Sequence, residues 1–301
     1  MTDLPVMKSK SYADFLVSKG EMVYELGSIP WMKYHGALIP ATAMPVYENI
    51  LTDDAAQLIK KSKALLLRYT NGPVKTPTNW WNMVCRHYNF NDVSSSTRSK
   101  IRRGIKRNEI KQVNTRWIYE QAYDCHVECY KRYNNALPED RPAYESFLND
   151  LRDQPIFNIW ACFNNQKLSG YIICLVEKNG VFLHTIDITP AGLKDYAAYA
   201  LINNVLDYYT NIKELPVSNG SRSISHETDM QDFLCKFGFE KEYSELYVVY
   251  RPDIKILVNF LYPFRNMLKL FKKIPLVHKV SAVLYQEEIV RQKITNRVVY
   301  D

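Results

Sequence analysis

The stretch from Phe157 to Leu193 reads FNIWACFNNQKLSGYIICLVEKNGVFLHTIDITPAGL, and its reading decides the fold. A first apolar run, Phe157 to Phe163, ends at Asn164-Asn165, and Leu168 to Val176 returns from that turn as the second arm of a hairpin. Another turn at Lys178-Asn179-Gly180 opens a third strand, Val181 to Ile188, so the three runs make an antiparallel meander. Pro190-Ala191-Gly192 then starts a long helix whose apolar face is Ala198, Leu201, Ile202, Val205, Leu206 and Tyr209. Beyond it come a short strand around Leu215 to Val217, a polar loop from Ser218 to Ser223, a helix from Thr228 to Lys236, and a strand from Ser244 to Tyr250.

Upstream of the meander, Ser94-Ser95-Ser96-Thr97 supplies N-caps for a basic helix, TRSKIRRGIKRN. Ile101 and Ile105 are its only large apolar residues, so a narrow stripe packs while the cations fan outward. A second helix, from about Trp117 to Tyr133, presents Ile118, Ala122, Cys125, Cys129 and Tyr133 to a core. The first ninety-odd residues read as a small α/β unit, with strands at Met22 to Leu26 and Gly36 to Val46, a helix from Thr52, and a strand at Leu65 to Tyr69. Trp80 to Val84 is an aromatic-rich stretch expected to pack between units.

The chain has 301 residues, enough for one large domain or two ordinary ones. With 47% hydrophobic and 24% charged residues it is globular, which excludes collagen-like, mucin-like and fully disordered readings. Its formal charge of +7 is unevenly spread. Arg98 to Arg116 holds eight cations and one anion, and Arg251 to Asp301 holds ten cations and four anions, so the rest of the chain is acidic. Two basic segments on an acidic body point to anionic partners at particular places. The six cysteines follow no framework spacing and are expected as reduced thiols. The N-terminus has no apolar leader, and no run of 18 uncharged apolar residues occurs, so neither a secretory signal nor a spanning helix is expected.

The order of elements, with SSSTRSKIRRGIKRN at its start, NQKLSGYII in the meander and FLCKFGFEKEY near its end, resembles a GNAT-type acyltransferase domain. The resemblance is to the Fem-like branch shared with the peptidyltransferases of bacterial cell-wall synthesis, and it covers residues 94–252. It implies an α/β, mixed α+β class and a tandem GNAT-like fold. The implied parts are a degenerate half at 1–93, an acyltransferase domain at 94–252 opened by the basic linker helix, and a basic amphipathic C-terminal segment at 253–301.

The implied activity is transfer of an acyl or aminoacyl group to an amine of an amino sugar or peptide in a cell-envelope precursor. The alternative is a catalytically silent GNAT-like module that binds nucleic acid or an anionic membrane through its basic segments. In the family, acyl-CoA pyrophosphate sits on a glycine-rich turn at the helix after the third meander strand. Here that turn, Thr189 to Asp195, keeps one glycine, Gly192, as the cofactor-binding candidate and lacks a leading cation. Fem-type enzymes take an aminoacyl-tRNA instead, so acyl-CoA and aminoacyl-tRNA both stand as donors, with tRNA a candidate partner. No metal is expected.

Splayed strands in such folds place residues 183–189 and 217–225 at a cleft. The titratable groups nearby are His184, Asp187, His226, Glu227 and Tyr199. His184 alternates with Phe182, Ile186 and Ile188, which suits a packed core histidine as well as a catalytic one. Asp187 is a base or a helix cap, and Glu227 a base or a satisfier of first-turn N–H groups. Asn219-Gly220-Ser221-Arg222-Ser223 is either an anion-binding loop, with His226 beside it, or an ordinary turn. Arg98, Lys100, Arg102 and Arg103 are read as contacts to an anionic substrate, against solvated charge. Cys125-His126-x-x-Cys129 is read as core packing rather than metal ligation, since no second ligand pair follows. The segment from Ile254 to Lys273 mixes large apolar residues with lysines, so it either lies on an anionic bilayer or packs on the N-terminal half. The expected location is the cytoplasm, with the inner membrane face as the peripheral setting.

Overall fold

The computed structural model describes residues 9–132, 137–224, 229–271 and 274–298. The chain opens with helix α1 (Tyr12–Ser18), strands β1 (Val23–Leu26), β2 (Ile29–Tyr34) and β3 (Ala37–Pro40), helix α2 (Thr52–Ser62), and strands β4 (Leu66–Asn71) and β5 (Trp81–Cys85). The basic helix α3 (Ser95–Arg107), strand β6 (Glu109–Val113), and helices α4 (Thr115–Tyr130) and α5 (Arg141–Asp150) lead to the meander β7 (Phe157–Asn164), β8 (Lys167–Glu177) and β9 (Gly180–Ile188). After it come α6 (Pro190–Lys194), α7 (Ala197–Leu206), a π-helical turn (Asp207–Ile212), β10 (Val217–Ser221), α8 (Met230–Cys235), β11 (Glu240–Tyr243) and β12 (Glu245–Tyr250). Helices α9 (Pro252–Leu261), α10 (Arg265–Leu268) and α11 (Pro275–Val298) close the chain. This is the mixed α+β, GNAT-like architecture that the sequence implies.

The chain forms two compact units from interleaved segments. The meander unit takes residues up to Lys19, Val84–Gly220 and Met230–Glu240; the second unit takes Gly20–Met83, Ser221–Asp229 and Lys241 onward. These limits differ from a division at 93 and 252, and strand pairing is the reason. Strand β12 ends the C-terminal half in sequence, yet it pairs along its whole length with β4, from Glu245↔Asn71 to Tyr250↔Leu66. Conversely β5, the last strand of the N-terminal half, stands in the seven-stranded order β11-β5-β10-β9-β8-β7-β6. Helix α1 also joins the meander unit, where Phe15 meets Phe157 edge-on at 4.9 Å.

Within the meander unit the sequence logic holds locally. Asn165 and Gln166 both take positive φ, the requirement of a tight two-residue hairpin turn, and Asn164 pairs with Lys167. Strand β6 has no counterpart in the sequence reading because it is an edge strand inside a charge-rich run, pairing only with β7. The helix expected to run unbroken from Pro190 breaks at Tyr196, whose φ is +58°. Asn108 bridges that break: its side-chain amide donates to Gly104 O at 2.8 Å and to Asp195 O at 2.9 Å. The α3 stripe shifts accordingly. Thr97, Ile101 and Gly104 are buried, whereas Ile105 is 47% exposed.

Gly104 is required by close approach. A Cβ there would lie 2.5 Å from Tyr196 O, so a substitution sets propensity against sterics. Gly104→Ala in a free helix would stabilise by about 1 kcal/mol. In this protein it is expected to lower stability by about 1–3 kcal/mol, read as a lower urea midpoint at unchanged slope. A raised midpoint would show that α3 does not pack here.

Candidate functional site

The site begins where two parallel strands part. β9 and β10 pair at Val217↔Val181 and Ser218↔Phe182, and the ladder stops there. Beyond those pairs, the β10-facing edge of β9 has no strand beside it among the described residues. The second unit repeats the device: β3 and β4 pair only at Ala37↔Leu66 and Leu38↔Leu67. There the gap is filled by the chain itself. Tyr47 bridges to Thr70, Glu48 N–H donates to Thr70 O at 3.3 Å, Thr70 Oγ1 donates to Val46 O at 2.9 Å, and Tyr69 OH donates to Ile50 O at 3.2 Å. Among the described residues the first split has no such filling, and its twin is plugged.

β9 carries one extra residue. Its register with β8 slips between Ile173 and Cys174, which face Thr185 and Leu183, so His184 sits in a bulge. The bulge removes His184 from the alternation with Ile186 and Ile188. Its Nδ1 lies 3.0 Å from Thr185 Oγ1 and its ring stacks on Phe147 of α5 at 5.8 Å, with Phe157 and Phe182 edge-on. Burial among these rings holds its proton affinity below the ordinary histidine value.

Three residues further on, Asp187 anchors a buried polar chain. Tyr171 OH donates to Asp187 Oδ2 at 2.5 Å, and His126 Nδ1 of α4 meets the same oxygen at 2.7 Å. Since Tyr171 spends its proton on the carboxylate, the hydroxyl of Tyr144 on α5 donates to Tyr171 oxygen. Tyr144 also stacks on the imidazole at 4.6 Å. All four residues are buried, so the Asp187 side chain depends on hydrogen-bonding partners, and Tyr171 and His126 supply them at Oδ2. Burial, then the Asp187 charge, pushes the Tyr171 phenol well above its usual range, and burial raises Tyr144. Both phenols are therefore neutral donors. Nδ1 of His126 faces Asp187, and Nε2 has no partner among the described residues.

Neither His126, Tyr144 nor Tyr171 was selected from sequence. A signal existed: His126 follows Ala122 by four, so it lies on the same buried stripe as Cys125 and Cys129, and a buried histidine needs a buried partner. The neighbouring thiols are unreactive, because burial raises the Cys125 and Cys129 pKa values and pushes Cys162 up to about 12. Among the described residues no group of three or more His, Cys, Asp or Glu is arranged to hold a metal ion.

The other candidates are dispersed. Tyr199 packs edge-on against Phe233 at 5.1 Å, with Lys100 Nζ 5.4 Å from its ring. Arg98 is tied to the carbonyls of Asn91 and Val93, both at 2.6 Å. Arg102 lies over Phe90 at 5.3 Å and Arg103 over Tyr196 at 5.9 Å, both exposed. Asn219, Gly220 and Ser221 belong to β10 rather than to a loop, and Gly220 takes φ +76° beside the Phe182 ring. In the second unit Arg222 donates to Asn79 O at 2.7 Å and to Tyr285 OH, 4.6 Å above Trp81, and Ser223 follows it. His226 and Glu227 lie outside the described residues. Gly192 meets Thr189: its N–H donates to Thr189 Oγ1 at 2.9 Å, and a Cβ would stand 2.4 Å from Ser169 O. That glycine serves close packing of α6 on β8.

No protein-family model and no curated protein matches the chain. Solved structures do. FemX is 7% identical over 85% of this chain and 94% of its own, with a TM-score of 0.54. The C-terminal DUF2156 domain of a putative lysylphosphatidylglycerol synthetase from Agrobacterium fabrum is 14% identical over 84% and 91%, with a TM-score of 0.52. A tandem GNAT protein from the clavulanic acid biosynthesis pathway is 9% identical over 76% and 81%, with a TM-score of 0.44. At these identities the likeness concerns the fold, and the fold is GNAT-type and Fem-like.

The buried His184 makes a pH-dependent contribution. The unfolded chain takes up a proton near pH 6.5 that the native imidazole refuses, so stability is full above that value and falls as pH drops through it toward the lower native pKa. His184→Phe removes this part. Its urea midpoint is expected to fall less than that of the wild type between about pH 7.5 and 5.5; equal slopes would contradict a buried neutral imidazole.

Proposed function

We propose that the protein is an N-acyltransferase that moves an acyl or aminoacyl group to the amine of an amino sugar or peptide in a cell-envelope precursor. The observation that carries this reading is the open edge of β9 beyond Phe182, on the strand that holds Asp187 against His126. A reacting carbonyl seated along that edge, where the β10 ladder has ended, would meet β9 backbone N–H groups able to bind its oxygen as charge develops. The amine attacks the carbonyl carbon, a C–N bond forms, and the amine proton passes to His126 Nε2. Collapse breaks the bond to the donor oxygen or sulfur, which leaves with the proton returned by the imidazolium, so His126 ends neutral.

Asp187 acts through His126. It fixes the tautomer that leaves Nε2 basic and balances the imidazolium once formed, while Tyr171 and Tyr144 hold the carboxylate in place. Nε2 is buried, with the Tyr130 and Tyr144 rings each 4.6 Å from the imidazole, so the acceptor reaches it when a neighbouring side chain moves aside. The envelope part of the reading is supported by the name of one protein of the same fold, a putative lysylphosphatidylglycerol synthetase.

The start of α6 supports an aminoacyl ester over acyl-CoA as donor. Pro190 has no N–H and the Gly192 N–H is given to Thr189, so the turn that would take a pyrophosphate has fewer donors to offer. The face of α3 suits a phosphate backbone, with Lys100, Arg102 and Arg103 set on aromatic rings.

The test is donor consumption with acetyl-CoA, longer acyl-CoAs and a charged tRNA pool over a panel of amino sugars and peptides. Turnover is expected with charged tRNA, and His126→Gln is expected to lower kcat by about 10²–10⁴-fold. Turnover with acyl-CoA alone would overturn the donor assignment. No turnover with any donor, together with salt-dependent RNA binding, would favour the catalytically silent module.

A further inference from the structure

Between Asp253 and Glu287 the sequence has no acidic residue and six lysines and arginines. Helices α9 and α10, with the turns that follow each, present two unlike faces in this stretch. The inner face packs: Val258 is buried, Leu261, Tyr262 and Leu268 close over Leu284 of α11, and Arg265 pairs with Glu288 at 3.1 Å. Lys255 pairs with Glu287 at 3.0 Å. The outer face is apolar and open. Ile256 is 71% exposed, Phe260 68%, Leu270 79% and Leu276 71%, with Phe264 and Ile274 beside them. Nine of the eighteen large apolar side chains exposed among the described residues fall between Ile256 and Leu276, a density that scattered surface exposure does not produce.

We infer that this face lies on an anionic lipid bilayer, with the helices in the plane of the interface. Charge selects the occupant. A second copy would meet the same face across a two-fold axis and set the cationic segment against itself, whereas an anionic headgroup layer neutralises it. The segment also carries Lys269, Lys272, Lys273 and Lys279 in its sequence. Among the described residues no helix is long and apolar enough to cross a membrane, so the contact is interfacial. This inference goes beyond acyl transfer and does not depend on it.

The experiment is sedimentation of the full chain with vesicles of phosphatidylcholine alone and of phosphatidylcholine with phosphatidylglycerol at about three to one, at low and high salt. Binding to the anionic vesicles is expected to be at least roughly 10-fold tighter than to the neutral ones, and to weaken with salt. Phe260→Ser with Leu270→Ser is expected to reduce it by at least about 10-fold at an unchanged unfolding midpoint, because both side chains are exposed. Equal binding to the two vesicle types, or equal binding by wild type and double variant, would overturn the proposal. So would a concentration-dependent dimer that the double variant abolishes while vesicle binding is absent.

Discussion

A parallel strand pair that stops after two residues is the constraint on which the structure turns. The ladder between β9 and β10 ends at Phe182 and Ser218, and that between β3 and β4 at Leu38 and Leu67. A strand edge without a partner leaves backbone donors and acceptors that must be satisfied or used. In the second unit the chain satisfies them with its own residues 46–50. In the meander unit no strand continues the ladder among the described residues, and β9 carries the bulged His184 and the buried Asp187. The two units therefore differ in how their splits are filled among the described residues.

The polar chain behind β9 shows how a buried carboxylate is made affordable. Asp187 takes a phenol and an imidazole, Tyr171 takes the Tyr144 hydroxyl, and burial keeps both phenols protonated. Such a network rigidifies the end of β9 through each hydrogen bond it makes. The orphan is His126 Nε2, and its orphan state is the reason for assigning it the basic role.

Much of the fold was legible in local signals. The meander was readable from two turn dipeptides and three apolar runs, and the basic helix from its serine cap. What escaped was set by tertiary contact. The break at Tyr196 answers to Gly104 and Asn108, which belong to another helix and its cap far away in sequence, and no propensity announces it. Exchange of the last strands, β5 and β12, is invisible because either would read as a strand wherever it paired. The bulge at His184 reverses a face assignment that strict alternation made with confidence in a period of two. Asp187 was found from its position near a strand end, but its partner His126 was hidden by an apolar stripe that explained the helix without it.

The central claim is that a donor occupies the split beside β9 and that the twin split beside β4 is closed. Amide hydrogen exchange of the whole chain, with and without a charged tRNA pool, tests it most directly. The account predicts new protection at residues 183–186 and 219–221, with none gained at 46–50 or at Thr70. Protection confined to 46–50, or none at 183–186 under conditions of turnover, would contradict it.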